Sequence, residues 1–132
     1  MVVDQNFLKV KKYFLLVIFF LLFASKSYSN NYTFTKIIEL DEPWGSSFIN
    51  NDEIIITEKS GKIKIVNIIS KEVTEIKHNL NFLEVGQGGL LDIIHQDNAL
   101  WISYSEDRGN LKTSTSIAKA QLNKQELNFK NI

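Results

Sequence analysis

From residue 46 onward the apolar positions fall into short runs separated by polar turns, and the runs alternate in the two-residue rhythm of strands. Lys62 to Ile68 shows it most plainly, reading Lys-Ile-Lys-Ile-Val, one apolar and one wet face. Tyr32 to Leu40, rich in aromatic and β-branched residues, predicts a first strand broken by Asp41-Glu42-Pro43. Ser46–Asn50, Glu53–Lys59 with Ile54, Ile55 and Ile56, Lys62–Ile68 and Glu72–Lys77 predict one four-stranded meander. Leu90–His95, Ala99–Ser105, Ser116–Leu122 and Glu126–Lys130 predict a second. Asp52 and Thr57-Glu58 are echoed by Asp97 and Ser105-Glu106, about 45 to 48 residues later, the period of a propeller blade. No amphipathic helix pattern interrupts the strands, so the expected class is all-β, a β-propeller pattern of about two four-stranded blades.

The amino-terminal pattern differs. Lys9, Lys11 and Lys12 precede an apolar run from Tyr13 to Ala24, and small and polar residues continue through Ser29. This is the layout of a secretory signal helix, with cleavage expected after Ser29: residues 1–29 leader, 30–132 folded part. The run has about 12 residues against the roughly 20 a spanning helix needs, so contact with a membrane is expected only during export; a retained anchor is the alternative. Without the leader the chain carries 11 basic and 14 acidic side chains, a net charge of about −3. That balance gives no reason to expect nucleic acid, and Lys59, Lys62 and Lys64 are expected on a solvent face without interleaved aromatics. The chain has no cysteine, which excludes disulfides and thiolate metal sites and is compatible with the periplasm.

Chemistry concentrates in Val85 to Glu106. A turn, Gly86-Gln87-Gly88-Gly89, leads into an apolar strand and leaves Gln87 as its one functional side chain. G-Q-G-G precedes a strand rather than a helix, so it lacks the helix N-terminus of a phosphate loop. His95 reads as a turn histidine bonded to backbone and His78 as exposed. Asp92, a single carboxylate in an apolar strand, reads as structural rather than as a calcium ligand. Trp44 and Trp101 read as buried packing rather than as platforms for a ligand.

P-W-G at Pro43 to Gly45, I-I-T-E-K-S-G-K-I at Ile55 to Ile63, G-Q-G-G-L-L-D at Gly86 to Asp92 and W-I-S-Y-S-E at Trp101 to Glu106 occur in this order. Together they resemble the glucose/sorbosone dehydrogenase family, from about Leu40 to Leu122, and especially its soluble periplasmic aldose sugar dehydrogenases that use pyrroloquinoline quinone (PQQ). The resemblance implies a six-bladed propeller, PQQ and calcium as cofactors, an aldose oxidised at its anomeric carbon with hydride passing to the quinone, and periplasmic location. The family's base histidine, cofactor ligands and calcium ligands belong to later blades and have no counterpart here, so no catalytic or metal residue is assigned. Gln87 aligns with a family glutamine at the mouth of the central channel and is the expected sugar contact. At His95 the family's Pro-Asp-Phe is replaced by Gln96-Asp97-Asn98, which weakens the match there. Six blades of about 45 residues need roughly 270, and about 103 follow the leader, so the chain reads as an amino-terminal fragment, inactive alone. A binding-only propeller and a non-functional remnant are the alternatives; the electron acceptor is open.

Overall fold

The computed structural model describes residues 12–16, 18, 19 and 31–132. Residues 12–16, 18 and 19 are helical and exposed; most of the expected leader, 1–29, lies outside the described residues. Among the described residues no helix is long and apolar enough to cross a membrane. Thr35–Ile132 forms a unit of its own.

Within that unit the strands are β1 (Pro43–Phe48), β2 (Glu53–Glu58), β3 (Ile63–Asn67), β4 (Val73–His78), β5 (Leu90–Gln96), β6 (Ala99–Asp107), β7 (Thr113–Gln121), β8 (Glu126–Leu127) and β9 (Lys130–Asn131). They build two sheets, ordered β1-β2-β3-β4-β8 and β5-β6-β7-β9. Local turn chemistry sets the hairpins. Asp97 and Asn98 both adopt positive φ (52° and 59°), as a two-residue primed hairpin requires, and place Gln96 opposite Ala99. Asn50 Oδ1 accepts the Asp52 and Glu53 amides and closes the β1–β2 turn.

Register then decides which side chains meet. Ile55 opposes Ile65, Thr57 opposes Ile63 and Ile63 opposes Ile76, which gathers these residues on one face of sheet 1. Ile93 opposes Ile102, Leu100 opposes Ala120 and Ile102 opposes Ala118 on the facing side of sheet 2. These two faces, with Leu90, Tyr104, Leu127 and Phe129, make the core. A Cβ on Gly45 would stand 2.6 Å from Asp92 Cα, so β1 and β5 touch at a distance only glycine allows. Thr57 fastens the same point: its Oγ accepts the Gly45 amide (3.0 Å) and donates to the Leu91 carbonyl (2.5 Å).

Several expectations change. Tyr32–Leu40 forms no strand; Tyr32 and Phe34 are exposed, and strand propensity has no effect without a partner ladder. The strand expected over Ser46–Asn50 starts earlier, at Pro43, which suits a strand's opening position, ends at Phe48 and is bulged between Pro43 and Ser46. Glu126–Lys130 does not form one outer strand. Leu127 and Phe129 are drawn into the core, so β8 crosses to pair in parallel with β4 of sheet 1 while β9 pairs with β7. Lys64 is not on a wet face either, because its ammonium lies 2.6 Å from the buried Glu58 carboxylate.

Candidate functional site: the Gln87 loop

One end of the two sheets is assembled around an interruption of a strand. Phe82 bridges Glu106 in antiparallel sense, and Leu90 opposes Tyr104, so Asn81–Leu83 and β5 run along the same edge of β6. The residues between leave that edge as a loop. Both feet stand on Ser105: its carbonyl accepts the Leu83 amide and its amide donates to the Gly89 carbonyl, each at 2.9 Å. Asp107 N–H adds a bond to the Asn81 carbonyl (3.2 Å).

The loop tip is a reverse turn closed by Gly88 N–H on the Val85 carbonyl (2.8 Å), with Gly86 at φ 60° in its first central position and Gln87 in its second. Positive φ at that first position is what glycine supplies. Gly89 is constrained twice: φ is 134°, and a Cβ would lie 2.2 Å from the Lys59 carbonyl oxygen. That carbonyl also accepts Leu90 N–H (3.3 Å), tying the loop to the β2–β3 turn. Gln87 is exposed at the tip. An amide held on a glycine-shaped turn both donates to and accepts from a polyol.

Near the loop Glu58, Lys59 and Arg108 are already engaged. Glu58 is fully buried; Asp41 N–H (2.9 Å) and Lys64 Nζ (2.6 Å) share its Oε1, while Oε2 has no partner. Burial pushes its carboxyl up, but the Lys64 hydrogen bond and the Asp41 amide outweigh this and hold it below the ordinary carboxylate range. Lys59 is largely covered and lies 3.9 Å from Glu42. Arg108 bonds Ser114 and pairs with Glu106 at 2.8 Å.

The other sequence candidates fall as follows. Asp92 sits in the β5 bulge, where its Oδ1 accepts the Ile93 amide (2.9 Å) and its own amide donates to Ser103 Oγ, a structural role. His95 is in β5 rather than in a turn; its backbone amide bonds Ser47 Oγ, and its buried Nε2 has no partner, so the expected side-chain bond to backbone is absent. His78, expected exposed, is half-buried and bonded through both ring nitrogens. The tryptophans are not buried: Trp44 is 50% and Trp101 36% exposed. Trp101 carries the Lys119 ammonium 4.4 Å from its ring centre and, with Ile94 and Ile117, lines an open cavity of about 320 Å³ bordered by Asp92, Gln96 and Ser103. Alternating strand positions read as buried packing, but among the described residues no sheet covers the side of sheet 2 on which Trp101 lies. The role of Ser105 was missed because it acts through its backbone, which leaves no trace in the side-chain pattern.

Among the described residues no group of three or more His, Cys, Asp or Glu is placed to hold a metal ion. PQQ carries carboxylates and calls for free cations, and near the loop Lys59 is largely covered and Arg108 is committed to Glu106.

Known structures share this architecture. The chain aligns with a glucose dehydrogenase crystal structure at 24% identity and TM-score 0.64, covering 70% of this chain and 29% of that one. The soluble aldose sugar dehydrogenase of Escherichia coli in its apo-form aligns at 25% identity and TM-score 0.63, covering 70% and 29%. The PQQ-bound aldose sugar dehydrogenase of Streptomyces coelicolor aligns at 16% identity and TM-score 0.62, covering 71% and 30%. The chain thus spans about a third of the length of these structures, and its two sheets are blades of a β-propeller. No curated protein matches the sequence. The family model for glucose/sorbosone dehydrogenases matches residues 40–132, which takes in both sheets and the Gln87 loop, and on that match the chain belongs to the glucose/sorbosone dehydrogenase family.

Proposed function

We propose that this chain supplies the first two blades of a six-bladed, PQQ-dependent dehydrogenase that oxidises aldose sugars at the anomeric carbon, and that Gln87 contacts the sugar hydroxyls. The observation that carries the reading is the loop itself: two glycines with positive φ and a two-footed anchor on Ser105 hold one exposed amide. The open side of sheet 2 supports the fragment reading. The pair Ser103–Ile117 there is the counterpart, in the repeat, of Ile55–Ile65, which docks sheet 1 onto sheet 2. Sheet 2 therefore offers a third sheet the face by which sheet 1 already found a partner. In this reading the base, the quinone ligands and calcium come from the remaining blades, and the leader directs export to the periplasm with cleavage near Ser29.

The test is to read the coding sequence downstream of codon 132 in all frames and express the joined protein. Quinone-dependent aldose oxidation that falls roughly 5- to 150-fold in kcat/KM in Gln87→Ala, about 1 to 3 kcal/mol, is the expected result. Unchanged kcat/KM across several aldoses returns Gln87 to the turn residues, and downstream blades without a histidine base favour a binding-only propeller. For export, mass spectrometry of periplasmic material should find a chain starting near residue 30; a chain that retains Met1 and needs detergent refutes the leader.

A further inference from the structure

The loop that carries Gln87 begins at a histidine. Leu80 N–H donates to His78 Nδ1 (3.2 Å), so Nδ1 is the unprotonated nitrogen, and Nε2–H donates to the Gly61 carbonyl (2.6 Å). One neutral tautomer thereby ties the start of the loop to the β2–β3 turn. Phe82 reinforces the tie: its ring centre is 6.0 Å from the imidazole, and it occupies the space a Gly61 side chain would need, with Cζ 1.9 Å from the Cβ position. Phe82 is the residue that bridges Glu106, immediately before the Leu83 foot on Ser105. Imidazole, Phe82, Leu83 and the loop tip thus form a continuous chain of contacts.

We infer that His78 is a positioning residue for the Gln87 loop: its neutral imidazole latches Leu80 to the Gly61 turn, and protonation at Nδ1 turns the acceptor into a donor and releases the latch. The charged residues on the elements around it are Lys59 and Lys62 in the β2–β3 turn, Lys64 on β3, Glu126 on β8 and Glu75 and Lys77 on β4; among the described residues none forms an ion pair with the ring. No carboxylate is therefore paired with an imidazolium to compensate for the lost Leu80 bond. Histidine is the side chain whose charge ordinarily changes between about pH 5 and 8, and the latch is tested across that range. That the latched loop holds a sugar contact rests on the proposed function; the latch itself does not.

Amide hydrogen exchange on the full chain, corrected for intrinsic pH dependence, tests it without any sugar. Between pH 7.5 and 5.0, protection of the Leu80, Leu83 and Gly88 amides should fall at least tenfold while the β6–β7 ladder keeps its protection. His78→Gln, whose amide offers an acceptor and a donor at every pH, should retain protection and lose the pH dependence. His78→Phe should be unprotected at both pH values. The chain's other histidine is the control, and His95→Gln should keep the wild-type transition. Unchanged wild-type protection, or the same pH dependence in His78→Gln, overturns the inference. If His78→Phe fails to fold, the His78→Gln comparison decides alone. In the joined protein an acid-side rise in KM that disappears in His78→Gln would link latch and sugar; exchange without that rise would sink the sugar reading and leave the latch standing.

Discussion

The two sheets share a repeat but differ in how they are covered. Sheet 1 is buried on both sides: Ile55, Ile63 and Ile65 face sheet 2, and on the opposite side Ile56, Val66 and Glu58 are buried as well, with Asp41 reaching back to Glu58. Sheet 2 buries Ile93, Leu100 and Ile102 but leaves Ile94 at 54% and Ile117 at 53% exposed beside Trp101. β5 and β6 therefore carry a core on one side and, among the described residues, an uncovered apolar face on the other. The difference lies in neighbours rather than in the strands, as expected where each sheet is one unit of a stack.

The strongest way to break this comparison is to cut the same sheet on its two faces. Leu100→Ala removes a fully buried side chain from between the sheets and should cost about 2 to 5 kcal/mol, whereas Ile94→Ala on the open face should stay within about 0.5. Urea unfolding of the full chain measures both, and equal losses would mean that the open face is covered in solution.

Next in size is the contact that brings the sheets together. Gly45→Ala sets a methyl 2.6 Å from Asp92 Cα and 2.8 Å from the Leu91 carbonyl oxygen, both backbone, so the strands must part. Destabilisation of about 1 to 3 kcal/mol is expected, with accelerated amide exchange at Leu91 as its local sign.

How far the sequence revealed this follows from the range of each interaction. The β5–β6 hairpin was legible because Asp97-Asn98 settles its turn within four residues. The first meander and the Gln87 turn followed for the same reason, since turn residues and glycine spacing are local signals. What escaped was decided across the chain. Leu127 and Phe129 leave their own sheet for the core, and Asn79 holds Phe129 at both its amide and its carbonyl from 50 residues away. Trp101 has the pattern of a packed residue, but among the described residues no sheet opposes its face. His78 looked exposed between Lys77 and Asn79 because its partners, Gly61 and Phe82, depend on the turn and loop coming together.

Glu58 sharpens the contrast through pH. Its carboxyl is held below the usual range in the folded chain, so its stabilising effect is complete above the unfolded value near 4.5 and is lost as pH falls through the folded one. The wild-type urea midpoint should therefore drop below about pH 4.5 more steeply than that of Glu58→Gln, which has no charge to lose. At neutral pH the variant should be weaker by about 1 to 3 kcal/mol, since Lys64 keeps its charge against an amide. Parallel pH profiles would show that sheet 1 does not depend on this pair.

The smallest expected effect belongs to the open face. Lys119 Nζ stands 4.4 Å from the Trp101 ring centre, on a side of sheet 2 reached by water. Cation–π contacts at exposed sites contribute about 0.5 to 1 kcal/mol, and water screens this one. Lys119→Ala should thus shift the urea midpoint only slightly. Its clearer consequence is on association: the cation keeps part of the Trp101 face hydrated, and removing it enlarges the continuous apolar patch with Ile94 and Ile117, the kind of surface that drives proteins together. Sedimentation velocity over a concentration series should show Lys119→Ala more associated than wild type and Trp101→Ser less so, with both unfolding cooperatively. If Lys119→Ala sediments as wild type while Trp101→Ser alone dissociates, the face still acts as an interface and the lysine has no part in guarding it. If neither variant changes sedimentation, the exposed side of sheet 2 is not a self-association surface, and the contrast between the sheets is confined to stability.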